Sequence, residues 1–331
     1  MDMRRIIVVG LGSIGRRHAR LLSARTDLRV EAVEPDDESL ARARSEIGEM
    51  HIYPSFEAAV ATRPEMVLIA TPPCLHADQT IAALAAGCHV LCEKPMCDNL
   101  ADAKRMQKAA ESADKVVSIG FSGHFSPPVI RLRELMQNGE LGQLVYAHLH
   151  VGTYLTLVLS LSRHQAELEG AVMLDYAHQP DFLFWALSRN PRGVYVAGEQ
   201  AGRQELQSNP NVVSLTCDYE DPLITSIHLN FVQAPAQARY EVIGDQGWAA
   251  LDLETGQLRI GSGGHEGSIR EEMFPQPRDA IYQAEHQTFM DAVDGKCQTE
   301  SPVNEAIQSM YVIDAAMRSW KSGQRVVLDK S

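Results

Sequence analysis

The residues of this chain best suited to chemistry lie in His89-Val90-Leu91-Cys92-Glu93-Lys94-Pro95, where an apolar run ends in an acid, a base and a proline. Val90 to Cys92 read as the end of a buried parallel strand, which carries a near-continuous apolar pattern. Glu93 and Lys94 then sit where that strand leaves the sheet, the edge at which doubly wound folds bind ligands. Pro95 has no N–H and stops the strand; an X-Pro bond here can be cis and turn Lys94 sideways. A lysine so placed polarises an oxygen and stabilises a developing alkoxide, with Glu93 to hold it. A solvated Glu-Lys pair would read the same way, so the assignment rests on the remaining chain.

A second group sits in a segment read as one helix, Ala171–Leu187, holding Asp175, His178, Asp181 and Phe182. Helical spacing puts Asp175, His178 and Phe182 on one face, where Asp175 can orient the imidazole or bind a substrate hydroxyl. Histidine titrates near neutral pH and suits proton transfer, which favours His178 over Lys94 as the proton carrier. The ordinary alternative is a core histidine beside an acid. Pro180 is expected to kink this helix just past His178. His76, His89, His124, His164 and His178 form no HxxxH or HExxH pair, and the six cysteines form no CxxC pair, so no metal site is expected.

The elements that must position these groups begin with strand Arg4–Val9, followed by Gly10-Leu11-Gly12-Ser13-Ile14-Gly15 and a helix. In this GxGxxG turn Gly10 permits the bend, Gly12 lets a pyrophosphate approach, and Gly15 lets helix and strand pack. The helix N-terminus offers N–H groups to the phosphates. Glu34, ending the next strand, would accept from ribose hydroxyls and repel a 2′-phosphate, which favours NAD over NADP. Arg16 and Arg17 are expected to face solvent. Strand–helix alternation continues through Met66–Thr71, the Lys94 strand and Val116–Phe121, giving six strands and a Rossmann domain over 1–122. From 123 to 331 the pattern becomes α+β: helices near 128–138 and 171–187, then strands in hairpin order with a mostly antiparallel sheet, then two closing helices.

With 331 residues, two domains and a large core are expected. Thirty basic against 43 acidic residues leave −13, which argues against nucleic acid or an anionic membrane as partner. No apolar run is long enough to span a bilayer, and the first residues carry no signal-peptide pattern. Cys88, Cys92 and Cys97 cluster about the buried strand and read as small core residues in a reducing compartment, so a cytoplasmic location is expected.

Several motifs resemble those of the glucose–fructose oxidoreductase, inositol dehydrogenase and MocA (Gfo/Idh/MocA) family over nearly the whole chain. They are Gly10 to His18, Ala70-Thr71-Pro72-Pro73 with His76, Ala85 to Pro95, Gly120 to Phe125, and Leu174-Asp175-Tyr176-Ala177-His178. The resemblance implies NAD(P)-dependent hydride transfer at a secondary alcohol or ketone of a sugar, sugar acid or cyclitol. Lys94 and His178 would flank the reacting carbon, with Asp175 nearby. Cofactor contacts are expected from Gly10, Gly12, Ser13, Ile14, Gly15, Glu34, Thr71, Pro72, His76, Glu93 and Lys94. Substrate contacts are expected from Lys94, His124, Arg163, Asp175 and His178. The open sheet of the second domain would join subunits into a homodimer or homotetramer. An NAD-using glycosidase and a non-enzymatic NAD-binding regulator are the competing readings. The chain departs from the family pattern at Glu169-Gly170-Ala171, Ala177 and Gln179-Pro180, and it carries a leucine-rich run from Leu155 to Leu161. That run is expected to be a lid or a subunit contact, with Arg163 and His164 as polar contacts to a neutral or singly acidic small sugar or polyol.

Overall fold

Apolar runs too continuous to face water on either side build the first sheet of the computed structural model, which describes residues 3–159, 168–263, 267–275 and 278–328. Its strands are β1 (Arg4–Val9), β2 (Leu28–Val33), β3 (His51–Tyr53), β4 (Met66–Ile69), β5 (His89–Glu93) and β6 (Val117–Gly120), all parallel, in the order β3-β2-β1-β4-β5-β6. Every residue of β4 and β6 is buried, as expected of strands covered on both faces. The helices between them are α1 (Ser13–Ser23), α2 (Asp37–Ile47), α3 (Phe56–Val60), α4 (Pro73–Ala85) and α5 (Leu100–Ser112). Asp36, Ser55 and Asn99 cap α2, α3 and α5 by accepting from backbone N–H groups three residues on. Helix α4 starts at Pro73, which fits the first helical position, where no N–H is needed. Strand β3 is too short to announce itself in sequence. Tyr53 of β3 donates to the buried Glu31 carboxylate of β2 at 3.0 Å, and Arg5 of β1 reaches the same oxygen at 2.8 Å.

The register decides what this sheet presents. Val9 pairs with Ile69, Ile69 with Cys92, and Glu93 with Gly120. The residues that follow, Gly10, Ala70, Thr71, Lys94 and Phe121, therefore leave the sheet at one edge.

The second half of the chain runs α6 (Pro127–Gln137), β7 (Leu144–Gly152), α7 (Leu155–Leu159), α8 (Ala171–Asp175), α9 (His178–Leu187), β8 (Gly193–Glu199), β9 (Val212–Asp218), β10 (Ile224–Asn230), β11 (Gln237–Gly244), β12 (Gly247–Asp252), β13 (Gln257–Ser262), β14 (Ser268–Met273), α10 (Arg278–Val293), α11 (Val303–Ser322) and β15 (Val326–Val327). The nine strands form one sheet, β14-β13-β12-β11-β7-β10-β9-β8-β15, in which only the β7–β10 pair is parallel. Along β7, Ala147, Leu149 and Val151 are buried while Tyr146, His148 and His150 are half-buried on the other face. That alternation marks a sheet with one packed face.

The expected single helix over 171–187 is two helices. The chain breaks at Tyr176-Ala177, ahead of His178 rather than past it. Pro180 falls in the first turn of α9, where its missing N–H leaves no bond unmade, so it helps begin a helix instead of kinking one.

The chain divides into two compact units, Met1–Ser122 with Arg278–Ile307, and Gly123–Pro277 with Gln308–Ser331. Helix α10 thus belongs with the first sheet, whereas a single cut after 122 assigns it to the second half. Its Phe289 and Met290 are buried in one cluster with Ile6, Val8, Leu22 and Leu68. Just beyond, the Ile119 N–H donates to Ser301 O at 2.9 Å, and Ser118 bridges Pro302. This short segment covers the outer edge of β6, and Pro302, lacking an N–H, ends the pairing there.

Candidate active site

At the edge of the first sheet the glycine turn is built tightly. Gly10 has φ +87°, and a Cβ on it would lie 2.8 Å from the Ala70 carbonyl oxygen. A Cβ on Gly15 would lie 1.9 Å from Gly10 O, so only glycine lets α1 start this close to β1. A Cβ on Gly12 would meet nothing within 4 Å, which leaves open space beside the main chain at the start of α1. Exposed Ser13 and half-buried Ile14 form its first turn, with no side-chain cap and no acidic residue. Those free-standing N–H groups and that open space fit a dinucleotide pyrophosphate.

Glu34 follows β2 and is half-buried. Its carboxylate accepts from Leu11 N–H at 2.6 Å and from Asp36 N–H at 2.8 Å, which holds it against the glycine turn with lone pairs still available. Arg16 does not face solvent: its guanidinium reaches Leu11 O at 3.2 Å and Glu46 at 3.2 Å. Arg17 lies over the Tyr282 ring at 5.2 Å. Thr71 Oγ1 donates to Gln79 Oε1 at 2.6 Å, and exposed Pro72 precedes α4. His76 is buried with ring nitrogens 2.7 Å from Thr71 O and 2.9 Å from Pro95 O, so it ties the Thr71 turn to the Lys94-Pro95 turn. Burial depresses its pKa, although both carbonyls oppose this.

Lys94 is half-buried, and its peptide bond to Pro95 is cis. Beneath it lies a polar group inside the core. Glu93 Oε2 accepts from the Lys94 backbone N–H at 3.0 Å, and Glu93 Oε1 lies 2.7 Å from His18 Nε2. His18 Nδ1 lies 2.7 Å from His286 Nε2. Burial opposes charge on Glu93, but the His18 hydrogen bond and the Lys94 charge hold its carboxyl below the ordinary range. Among the described residues the adjacent Glu285 has no hydrogen-bond partner on either oxygen; burial, reinforced by Glu93, pushes its carboxyl well up. Burial, with His18 and Arg25 nearby, pushes His286 well down. Of these residues Glu285 and His286 carry no motif. Their one signal is that they share a helical face with Tyr282, Phe289 and Met290, placing polar groups where apolar ones belong.

In the second unit Asp175 ends α8 and His178 begins α9, so their proximity follows from the two-residue break and not from one helical face. Both are half-buried, while Tyr176, Ala177 and residues 179–183 around them are buried. The Tyr176 ring meets His178 edge-on at 5.8 Å. His124 is buried: its Nε2 lies 2.7 Å from Asp181 Oδ2, and its ring stacks on Trp185 at 4.1 Å. The Arg133 guanidinium covers Trp185 at 4.0 Å. Burial raises the Asp181 carboxyl against the pull of His124. Arg163 and His164 lie outside the described residues. Of the leucine-rich run, Leu157 is buried and Val158 is exposed.

A family model described as "Oxidoreductase family, NAD-binding Rossmann fold" matches residues 4–121, and one described as "GFO/IDH/MocA C-terminal domain" matches residues 129–250. The chain belongs to the Gfo/Idh/MocA oxidoreductase family. The first match makes its N-terminal part the NAD-binding Rossmann portion of that family. An inositol 2-dehydrogenase of Rhodococcus erythropolis is 26% identical over 343 residues, covering 98% of this chain and 95% of that protein. A 1,5-anhydro-D-fructose reductase of Ensifer adhaerens is 25% identical over 267 residues, 80% of each. Among solved structures, myo-inositol 2-dehydrogenase from Lactobacillus plantarum has the same fold, with TM-score 0.84 at 22% identity over 99% of this chain and 100% of that one.

Proposed function

We propose that this Gfo/Idh/MocA protein is an NAD-dependent dehydrogenase acting on one secondary alcohol, or the matching ketone, of a small sugar, sugar acid or cyclitol. The observation that carries the reading is the register of the first sheet, which brings Glu93-Lys94 out at the same edge as the glycine turn. A lysine adjoining a dinucleotide site suits hydride chemistry better than a purely structural role. When bound, NAD supplies the hydride acceptor at nicotinamide C4. Lys94 hydrogen-bonds the carbinol oxygen and stabilises the alkoxide as it develops. His178 takes the proton, and Asp175 orients its imidazole. Glu34 binds the ribose hydroxyls and excludes a 2′-phosphate. The substrate class is supported by relatives named for inositol and anhydrofructose.

The half-buried face of the nine-stranded sheet, with Tyr146, His148 and His150 on β7, is the surface we assign to pairing with a second copy, in a homodimer or homotetramer. We place the protein in the cytoplasm, in keeping with six free cysteines, two of them exposed. Among the described residues no helix is long and apolar enough to cross a membrane.

The test is a panel of sugars, sugar acids and cyclitols, myo-inositol included, incubated with NAD and followed by NADH fluorescence. NADH formation with at least one compound is expected. Silence across the panel in both reaction directions would remove the dehydrogenase reading, and NAD-dependent hydrolysis of an aryl glycoside without net NADH would install the glycosidase instead. In the same instrument NADH should bind more tightly than NADPH, and Glu34→Ala should narrow the gap.

A further inference from the structure

We propose that His18 is a positioning residue: clamped between His286 of α10 and Glu93 of β5, it fixes the Glu93 carboxylate and, through Glu93 Oε2, the main chain at Lys94. The proposal rests on reading Lys94 as the lysine that meets substrate.

The geometry is a chain of contacts with no slack. His286 Nε2 to His18 Nδ1 is 2.7 Å, His18 Nε2 to Glu93 Oε1 is 2.7 Å, and Lys94 N to Glu93 Oε2 is 3.0 Å. His18, Glu93, Glu285 and His286 are 1%, 7%, 2% and 3% exposed, so water has little access to loosen the chain. The Tyr282 ring stands edge-on to His18 at 5.3 Å, which closes the remaining side. The groups that face His18 are therefore Glu93 from β5 and Tyr282, Glu285 and His286 from α10.

A core that needed only to join α1, β5 and α10 would use apolar side chains, because buried polar groups stabilise little and lose much when one partner is missing. What hydrogen bonds add is direction. A carboxylate held at both oxygens points one way, and a misplacement of about 1 Å at a reacting group lowers rates on the order of 10²-fold. The ligand atoms of His18, Glu93 and Glu285 also lie within 4.8 Å of one another, a spacing that a small cation can use. Here both nitrogens of His18 and both oxygens of Glu93 already have partners, so positioning accounts for them without an ion.

The test reads Lys94 directly and needs no substrate, so an unsuccessful sugar panel leaves it intact. Lys94 is trace-labelled with acetic anhydride across a range of pH, and its rate is taken by mass spectrometry relative to exposed Lys108. His18→Ala should change the relative rate at Lys94 by at least about fivefold, the scale of one lost hydrogen bond. His18→Gln, whose amide can still donate to Glu93, should stay within about twofold of the parent for the same reason. NADH affinity should move less than about threefold in both, since the phosphate contacts lie elsewhere. If His18→Ala does not fold, His286→Ala takes its place, with a change of at least about threefold expected. A folded variant whose Lys94 rate and pH profile match the parent overturns the proposal, and so does a His18→Gln rate as far from the parent as that of His18→Ala.

Discussion

Lys94 and His178 would divide the reaction between a group that steadies negative charge and a group that carries a proton. Replacing either with alanine should lower kcat by about 10²-fold or more, the usual scale for a positioned proton-transfer or oxyanion group. NADH binding, measured by fluorescence, should be nearly unchanged; a variant with near-parental turnover would strip that residue of its role. Glu285 calls for a different measurement. Its carboxyl titrates well above the ordinary value because it is buried and faces Glu93. The native state therefore keeps a proton that the unfolded chain gives up from about pH 4 upward. Stability is whole below that pH and falls as the pH rises toward the folded value. Glu285→Gln cannot ionise, so it should melt close to the parent near pH 4 and above it near pH 8. Parallel melting curves across that range would show that Glu285 carries no such penalty. None of this was legible from residue types alone, since a glutamate and a histidine on a late helix look like surface groups until the fold buries them. Glu93 and Lys94 were legible only as the charged end of an apolar run, which a solvated pair would share, so the motifs elsewhere in the chain had to single them out.

The elements divide the same way. Strands β1, β4 and β5 announce themselves as apolar runs, and the glycine turn names its own geometry. The break between α8 and α9 does not, because Tyr176 and Ala177 are buried like Met173 and Leu174 before them, and neither is a residue type that marks a turn. Only Pro180 hints at it, and proline marks the first turn of a helix as readily as a kink. From sequence, helix α10 is a closing helix of the second half, since periodicity states that a face is buried but not against what. Its Phe289 and Met290 meet Ile6, Val8 and Leu22. Phe289→Ala should lower unfolding free energy by about 3–5 kcal/mol in urea titration, the range for deleting a buried aromatic ring. A loss below about 1 kcal/mol, typical of a surface change, would mean that α10 is dispensable to that core.

For the molecule as a whole, an NAD-binding portion that runs from residue 4 to 121 in sequence is not all of its compact unit, because Arg278–Ile307 also belongs to it. A fragment of residues 1–122 should lack a cooperative thermal transition and bind hydrophobic dyes, and joining residues 278–307 through a flexible linker should restore the transition. A cooperative melt from the short fragment would show that the returning helix only decorates the unit. The same discontinuity has a consequence in time. Between Ser122 and Ile307 lie roughly 180 residues, which at about 5–20 residues per second take on the order of 10–40 s to synthesise. Through that interval the six-stranded sheet has emerged from the ribosome with the seat of Phe289 and Met290 bare and His18 without His286. The eight strands β7 to β14 of the second sheet are also made before that segment returns. The part of the protein made earliest is thus among the last to be finished, and for those seconds its apolar flank is open to chaperones, proteases or another nascent copy.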